Sequence, residues 1–390
     1  MSSPLNWLDA ELAKLRQDGL LRRRREFVPL SDGSCVVHGR RLIDFASNDY
    51  LGLARDPRLI AAAVRATQEA GTGASSSALI SGRTEWHGEL ERRLAEFEGQ
   101  PAAILFPSGF AANVGTITAL AGPDDVLFCH RFNHASLIDG CRLSKARLCI
   151  YRHDDLDGLE RDLENARDAR RRFLITDTVF SMDAELAPLP ILCDIAERHD
   201  AALIVDEAHA TGVFGERGRG VAERQQVEHR IAVRIGTLSK SLGSLGGFVS
   251  GSTELIDWLW NKARTQMFST ALPPAACAAA TAALDVIAAE PFRREVLAAR
   301  ATQLRQSLRA SGFDVPGELT CPIVPVIVGE PDRTVVAAAK LEERGFLVGA
   351  IRPPTVPHGT SRLRITVHCG HTADEVTALA AAVGDVLQGV

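Results

Sequence analysis

The sequence predicts an α/β protein with two domains, the larger of which is built on a mostly parallel β-sheet. First, the chain has 390 residues, which is more than one hydrophobic core usually serves. Second, between about residues 100 and 250, short apolar runs alternate with amphipathic helical patterns, as in parallel sheets covered on both faces. Third, the segments on either side have a different pattern, which indicates a second and smaller α+β domain.

Seven apolar runs predict the strands of the large domain. They are Ala102–Phe106, Val126–His130, Leu148–Tyr151, Phe173–Asp177, Ala202–Asp206, Ile231–Leu238 and Gly247–Ser250. The stretches Leu156–Arg170 and Pro190–His199 between them are amphipathic and predict helices. In such sheets ligands bind beyond the carboxyl ends of the strands, so we searched for chemistry among the residues that follow a strand.

The remaining segments predict the smaller domain. Its expected elements are a helix at Trp7–Gly19, a hairpin through Ser31-Asp32-Gly33-Ser34 and His38-Gly39, a long helical stretch after about residue 290, a strand at Ile323–Val328, a helix at Arg333–Arg344 and a strand at Arg362–Val367. We therefore expect the large domain to span residues 46–285, and the small domain to combine residues 1–45 with 286–390.

Composition excludes several functional classes. The net charge of −5 gives no reason to expect nucleic acid as a partner. The N-terminus lacks the apolar core of a secretory signal, and the longest uncharged stretch, Phe268–Leu284, carries two prolines, so we expect no membrane span. None of the eight cysteines forms a C-x-x-C pair, which favours reduced thiols in a cytoplasmic protein without a metal site.

Lys240 is the first candidate for catalysis. It lies in the segment Gly236–Gly247, after a predicted strand, and it is the only charged residue there. Only five of the 44 basic residues are lysines, so arginine supplies positive charge wherever charge alone is needed. A primary amine can form a Schiff base, and removal of water favours its reactive neutral form. Thr237, earlier in the same segment, offers a hydroxyl for a phosphate.

Asp206 and His209 end another predicted strand. A buried carboxylate needs a charge partner, and a protonated pyridine nitrogen would provide one and keep the ring electron-withdrawing. His209 could then reach the phenolic oxygen of the same ring. For an isolated Asp…His pair, however, a hydrogen bond that only orders the loop is the simpler interpretation.

Three further strand ends carry suitable residues. Ser108, Gly109 and Phe110 form a turn that opens a helix, where free amides attract a phosphate, although a turn that only reverses the chain is equally consistent. His134 could stack on an aromatic ring, and Ser181 could donate to the ring oxygen. Each signal is weak alone, but all of them follow strands of one domain.

The order of these motifs resembles that of the α-oxoamine synthases, which are fold type I enzymes dependent on pyridoxal 5′-phosphate (PLP). These enzymes join an amino acid to an acyl thioester with loss of carbon dioxide. The matching motifs are Ser47-Asn48-Asp49-Tyr50-Leu51-Gly52, Ser108-Gly109-Phe110, Asn133-His134-Ala135-Ser136, Phe180-Ser181-Met182-Asp183, Asp206-Glu207-Ala208-His209, Thr237-Leu238-Ser239-Lys240 and Phe268-Ser269-Thr270.

The resemblance implies a seven-stranded sheet, a PLP cofactor and a homodimer with the active site at the interface. The implied catalytic residues are Lys240, His134, Asp206 and His209. The implied cofactor contacts are Ser108, Gly109, Phe110, His134, Ser181, Asp206, His209, Thr237, Lys240 and, reaching the partner's cofactor phosphate, Thr270. The implied substrate contacts are Arg22, Asn48, His134, Arg352, Thr355 and Arg364. Arg364 also has a chemical rationale, because a guanidinium matches a carboxylate with two bonds. For Arg22, a solvated basic run is an equally good interpretation without the family.

The segment Ile351–Pro357 narrows the expected reaction within the family. It is similar to the members that condense L-alanine with a pimeloyl thioester, carried on coenzyme A (CoA) or on a carrier protein, in biotin biosynthesis. The alternative is a sister enzyme of the glycine C-acetyltransferase or 5-aminolevulinate synthase type. Two segments depart from the family pattern: Gly71–Ala78 has fewer glycines than usual, and Phe268 replaces a common tyrosine.

Two other functional classes were considered. Asp206-Glu207-Ala208-His209 also spells the DEAH box of helicases, but the chain lacks the G-x-x-x-x-G-K-[ST] loop that such enzymes require upstream. A metal-binding protein that uses His368, Cys369 and His371 is the second alternative, but no fourth ligand lies nearby in the sequence.

Overall fold

The computed structural model describes residues 4–22, 24–30 and 32–389. These residues form two compact units. The large unit comprises residues 49–181 and 185–295, and the small unit comprises the described residues among 1–48, 182–184 and 296–390. Ser31, which belongs to the predicted hairpin, lies outside the described residues.

Strands and helices alternate mainly between Ala102 and Thr237 of the large unit. The strands are β1 (Val28–Pro29), β2 (Ser34–Val37), β3 (Arg40–Asp44), β4 (Ala102–Phe106), β5 (Val126–His130), β6 (Arg147–Tyr151), β7 (Arg172–Asp177), β8 (Ala202–Asp206), β9 (Val233–Thr237), β10 (Gly247–Gly251), β11 (Ile323–Gly329), β12 (Phe346–Leu347), β13 (Gly349–Ile351) and β14 (Ser361–Thr366). The α-helices are α1 (Trp7–Gln17), α2 (Pro57–Ala70), α3 (Glu85–Glu98), α4 (Gly109–Leu120), α5 (Ala135–Ser144), α6 (Leu156–Glu164), α7 (Leu189–Arg198), α8 (Val221–Arg224), α9 (Thr253–Lys262), α10 (Arg264–Met267), α11 (Pro274–Ala289), α12 (Phe292–Ala310), α13 (Pro331–Glu343) and α14 (Ala373–Gln388).

The large unit contains the predicted seven-stranded sheet, with its strands in the order β4-β10-β9-β8-β7-β5-β6. The five strands from β9 to β6 pair in parallel, whereas β10 runs antiparallel to both β4 and β9. The central strands are buried along almost their whole length because helices cover both faces; Ile175, Ile204 and Ile235, for example, are at most 1% exposed. The predicted mostly parallel sheet is confirmed.

One predicted helix in the large unit is too long. The helical pattern at Leu156–Arg170 predicts a helix to Arg170, but α6 ends at Glu164. Beyond that residue, the Arg172 guanidinium donates to the backbone carbonyls of Arg167 (2.8 Å) and Ala169 (3.2 Å). These carbonyls bind a side chain from the next strand, so the segment folds as turns.

The small unit contains two sheets, in the orders β1-β2-β3-β12 and β11-β14-β13. The turn between β2 and β3 is the predicted one at His38 and Gly39, both of which have positive φ angles, 49° and 78°, as a two-residue hairpin requires. The predicted strand at Arg362–Val367 corresponds to β14, which pairs antiparallel with both of its neighbours.

No single helix in the described parts of the chain is both long enough and apolar enough to cross a membrane. Only the pair α11 and α12 meets that test jointly, and the two helices bend by 80° at their junction.

A buried ion pair anchors β9, the strand that leads to Lys240. Arg234 on this strand is 1% exposed, and its guanidinium contacts the carboxylate of Glu98, which is 2% exposed. The same guanidinium donates to the Glu98 carbonyl (2.7 Å) and to Glu228 (2.9 Å). Both charges are therefore removed from water and compensate each other inside the large unit.

Replacing Arg234 by methionine is expected to lower the free energy of unfolding by about 3–5 kcal/mol, because Glu98 would be left buried without its cation. Urea denaturation followed by circular dichroism measures this loss. Arg230→Met is the matched control, since Arg230 bridges Asp194 and Glu197 closer to the surface and should cause a much smaller loss. Equal losses in the two variants would contradict the role given to Arg234.

Candidate functional site

A cradle suited to an anion lies where three segments of the large unit meet. Ser108 caps α4, its hydroxyl accepting from the Ala111 N–H (3.1 Å). A Cβ added to Gly109 would lie 3.3 Å from the Thr237 hydroxyl, and one added to Gly247 would lie 2.5 Å from the Ser108 carbonyl. This close approach brings the free N–H groups that begin α4 beside the hydroxyl that ends β9, an arrangement suited to an anion.

The loop that carries Lys240 is closed by its own hydrogen bonds. The Thr237 hydroxyl donates to the Gly246 carbonyl (2.9 Å), and the Gly243 N–H donates to the Lys240 carbonyl (2.9 Å). The turn thus fixes the backbone of Lys240, whose side chain is half-buried. A lysine fixed in this way just after a strand end is suited to forming a covalent bond with a bound carbonyl compound.

Asp206 ends β8 as a buried carboxylate, 5% exposed. One of its oxygens accepts from the Ala208 N–H (2.7 Å) and the other from the Asn113 side-chain amide (2.6 Å). The same amide donates to the Ser136 hydroxyl (2.8 Å), and the Asn113 side-chain oxygen is buried without a hydrogen-bond partner. These neutral donors stabilise the ionised carboxylate, which therefore suits a cationic pyridine nitrogen.

His134 immediately precedes α5 and is exposed in the isolated chain. Its Nδ1 lies 2.7 Å from the Ser136 hydroxyl, and its backbone N–H donates to Asp177 (2.6 Å). Partial loss of hydration lowers the pKa of His134; Lys240 lowers it further and Asp206 opposes the shift. The imidazole therefore lies within electrostatic range of both predicted catalytic groups.

His209 is held by a buried tyrosine. Its Nδ1 lies 2.6 Å from the Tyr50 hydroxyl, and both side chains are buried. Ser181, which follows β7, is half-buried. The structure thus places each of these predicted ring contacts beyond a strand end of the large unit, as expected from the sequence.

These residues of the large unit fit PLP as a set. The cradle at Ser108, Gly109 and Thr237 matches the phosphate, the carboxylate of Asp206 matches the pyridine nitrogen, and Lys240 supplies the amine. For these three parts of PLP, the large unit thus offers a residue of a suitable chemical type.

The predicted substrate residues belong to the small unit, apart from His134. The Arg364 guanidinium, on β14 and 8% exposed, donates to the Asn48 side-chain oxygen (3.2 and 3.3 Å) and to the Thr366 hydroxyl (3.1 Å). The side-chain oxygen of Asn48 is neutral, so these hydrogen bonds from Arg364 are not ion pairs. A carboxylate remains the stronger partner for this arginine.

Arg352 is tied to the N-terminal segment. Its guanidinium donates to the backbone carbonyls of Gly19 and Leu21. Burial lowers the pKa of Arg352, and the charge of Arg22 lowers it further. Arg22 and Thr355 are exposed. The small unit therefore holds two arginines close enough to repel each other.

Three predicted or notable residues are exposed in the single chain. Phe110 is 50% exposed, Thr270 is exposed, and Phe268, which replaces the family's usual tyrosine, is 67% exposed. Because the Phe110 ring is exposed, the group that Phe110 offers to a ligand at the start of α4 is its backbone N–H.

Sequence reasoning assigned no role to Asn113, Tyr50 or Asp177. Tyr50 lies inside the motif Ser47–Gly52, and Asn113 follows Gly109 by four residues, so helical periodicity could have placed Asn113 on the same face as Gly109. Asp177 ends a predicted strand as Asp206 does. Position at a strand end was the available signal, and it was not applied to Asp177.

Residues of the helicase-like motif and of the possible metal site make local contacts in the structure. Glu207 accepts from the Thr178 hydroxyl (2.6 Å) and from the N–H groups of Val221 (3.0 Å) and Ala222 (2.9 Å), so it caps α8. The rings of His368 and His371 lie against each other, with centroids 3.6 Å apart and planes tilted by 32°. Across the described ranges, no group of three or more His, Cys, Asp or Glu residues is placed to hold a metal.

Comparison with known proteins gives concordant matches. Residues 40–383 match the family of aminotransferase class I and II. The chain is 48% identical over 383 residues to 8-amino-7-oxononanoate synthase of Anaeromyxobacter dehalogenans, with 98% of this chain and 96% of that protein covered. It is 46% identical over 378 residues to the enzyme of the same name from Geobacter sulfurreducens, with 96% of each protein covered.

Solved structures agree along the chain. The serine palmitoyltransferase of Sphingomonas wittichii superimposes with a TM-score of 0.93 at 31% identity, covering 99% of this chain and 98% of that one. A serine palmitoyltransferase from S. paucimobilis, solved with PLP and myriocin bound, has a TM-score of 0.93 at 30% identity, with 98% and 97% covered. The 8-amino-7-oxononanoate synthase of Francisella tularensis has a TM-score of 0.76 at 28% identity, with 89% and 98% covered.

Proposed function

Because the chain belongs to the aminotransferase class I and II family, and within it to the PLP-dependent acyltransferases of the 8-amino-7-oxononanoate synthase type, we propose that it condenses L-alanine with a pimeloyl thioester. The membership confirms the predicted fold class and the PLP cofactor. The product, 8-amino-7-oxononanoate, would enter biotin biosynthesis. The acyl group would arrive on CoA or on a carrier protein.

Arg22 and Arg352 of the small unit are the residues from which we infer the acyl group of the substrate. Burial lowers the pKa of Arg352, repulsion from the charge of Arg22 lowers it further, and Asp332 opposes the shift. An anion bound near them would relieve that repulsion. The pimeloyl chain ends in a free carboxylate, whereas an acetyl group has none. We propose that Arg22, Arg352 and Thr355 contact this end of the acyl substrate.

Proton movement is assigned to Lys240. When bound, PLP withdraws electrons from an attached amino acid and so acidifies its Cα–H bond. The amine of Lys240 would accept the Cα proton as a general base, and Asp206 would hold the pyridine nitrogen in its cationic form. His209 and Ser181 would orient the phenolic oxygen, and His134 would stack on the ring.

Substrate placement is assigned to Arg364 and Asn48. The guanidinium would bind the alanine carboxylate through two parallel hydrogen bonds, and Asn48 would orient it. A carbon–carbon bond then forms between alanine Cα and the thioester carbonyl carbon, the carbon–sulfur bond breaks, and the thiol departs. Carbon dioxide is then lost from the former alanine carboxylate, and return of a proton to the same carbon completes the condensation.

We also propose that the chain acts as a homodimer. Thr270, Ser108 and Gly109 would then hold cofactor phosphates, with Thr270 reaching the phosphate bound to the partner. The exposure of Thr270 in the single chain is consistent with this role.

CoA release tests the substrate assignment. With pimeloyl-CoA, kcat/KM for L-alanine is expected to exceed that for glycine by at least about tenfold, since one methyl group in a fitted pocket contributes on that order. With L-alanine, pimeloyl-CoA should be preferred over acetyl-CoA and succinyl-CoA. Preference for glycine with acetyl-CoA or succinyl-CoA would instead establish a sister enzyme, of the glycine C-acetyltransferase or 5-aminolevulinate synthase type respectively.

A further inference from the structure

Two buried carboxylates lie side by side in the large unit. Asp177 ends β7 and Asp206 ends β8, and the two residues are direct register partners in the parallel pairing of these strands. Each is 5% exposed. Neighbouring strands are about 5 Å apart, so the carboxyl groups share one poorly hydrated region. Two like charges in such a region do not both ionise readily.

Hydrogen-bond donors decide which carboxyl group keeps the negative charge. Asp206 accepts from the Ala208 N–H (2.7 Å) and from the Asn113 amide (2.6 Å), one donor to each oxygen. Asp177 accepts from the His134 backbone N–H (2.6 Å). Hydrogen-bond donors stabilise an anion, so the negative charge is better supported on Asp206 than on Asp177.

The electrostatic surroundings agree with this division. Burial, followed by the charge of Asp206 and more weakly by Cys129, raises the pKa of Asp177 well above its usual value. The His134 N–H and the Lys240 charge oppose the rise without cancelling it. These surroundings therefore favour the neutral, protonated form of Asp177 over the ionised form.

Asp177 also fixes the segment that presents His134. Its N–H donates to the Asn133 side-chain oxygen (2.9 Å), and the Asn133 amide donates to the Ile175 carbonyl (2.9 Å). Together with the bond from His134 to the Asp177 carboxyl, these contacts join the end of β7 to the residues before α5. The position of the His134 ring thus depends on Asp177.

We propose that Asp177 is a positioning residue of the cofactor site, which as a neutral acid holds the His134 backbone and leaves Asp206 as the single anion opposite the pyridine nitrogen. The proposal rests on the cofactor roles proposed for His134 and Asp206. Asp177 and Asp206 end neighbouring strands, but in this proposal Asp177 is neutral and Asp206 is charged. Asparagine substitution separates these roles, because asparagine resembles a neutral aspartic acid in shape.

Titration of the apoenzyme with PLP, followed by absorbance and protein fluorescence, tests the proposal without relying on activity. Asp177→Asn is expected to keep the Kd for PLP within about threefold of the parent, since its side-chain oxygen still accepts from His134. Asp177→Ala removes that acceptor and should raise the Kd about tenfold. Rescue by asparagine but not by alanine is the signature of a neutral positioning group.

Asp206→Asn provides the contrast, and it should raise the Kd for PLP by more than about tenfold because a charge-assisted pair is lost. Asp124→Asn, an exposed position, should leave the Kd unchanged. If Asp177→Asn weakens binding as much as Asp206→Asn, Asp177 carries charge and the inference is overturned. If Asp177→Ala binds PLP as tightly as the parent, the positioning role is wrong. If Asp206→Asn binds normally, the proposed cofactor role of Asp206 fails instead.

Discussion

Replacing Lys240 by alanine is expected to lower kcat by more than about a thousandfold, because the chain would lose both its covalent anchor for PLP and its proposed base. The visible absorbance of the purified protein with PLP should disappear as well. Lys240→Arg should fail to the same extent, since a guanidinium keeps the charge but cannot form the covalent bond. If both variants lose turnover, the enzyme needs the primary amine of Lys240 and not only a positive charge at this position.

Lys262→Ala is the matched control for Lys240. Lys262 lies at the exposed end of α9, with its ammonium 5.5 Å from the Trp258 ring, and its loss should leave turnover and absorbance unchanged. Borohydride reduction followed by peptide mass analysis should locate PLP on the peptide that contains Lys240. Labelling of another lysine, or normal turnover in Lys240→Ala, would show that the assignment is wrong.

Replacing Arg364 by methionine is expected to lower kcat/KM for L-alanine about 100-fold, equivalent to about 2–3 kcal/mol for the charge-assisted bonds to a carboxylate. Most of the change should appear in the KM for alanine, while the KM for pimeloyl-CoA stays within about twofold. Steady-state kinetics with each substrate varied in turn measures the two effects. Arg364→Lys should fall between the parent and Arg364→Met, because lysine keeps the charge and loses the two-bond geometry.

Arg344→Met controls for the general loss of an arginine from the small unit. Arg344 follows α13 and pairs with the exposed Asp385 (2.9 Å), so the alanine KM should not change. An Arg364→Met enzyme in which both KM values rise equally would point to a folding defect, and unchanged kinetics would exclude Arg364 from binding the carboxylate.

The local pattern of apolar and polar residues in the sequence was sufficient to predict most of the fold. Strands such as Ala202–Asp206 are short, apolar and rich in β-branched residues because helices cover them on both sides, and that requirement is visible in the sequence. The seven predicted strands all appear in the sheet within two residues at each end. The predicted extension of α6 to Arg170 was wrong because the carbonyls of Arg167 and Ala169 bind Arg172, whose position depends on the next strand.

The sequence by itself determined the family, the cofactor and the presence of Lys240, Asp206 and Thr237 just after or at strand ends, since each depends on residues close together in the chain. Only the tertiary structure decided which of these residues have partners. The pairing of Asp177 with Asp206, the amide of Asn113 on Asp206 and the attachment of Arg352 to Gly19 and Leu21 all join residues separated by about thirty to more than three hundred positions. Strand register and chain packing create such contacts, and protonation follows from them, because a carboxyl group's charge depends on the donors and charges that surround it.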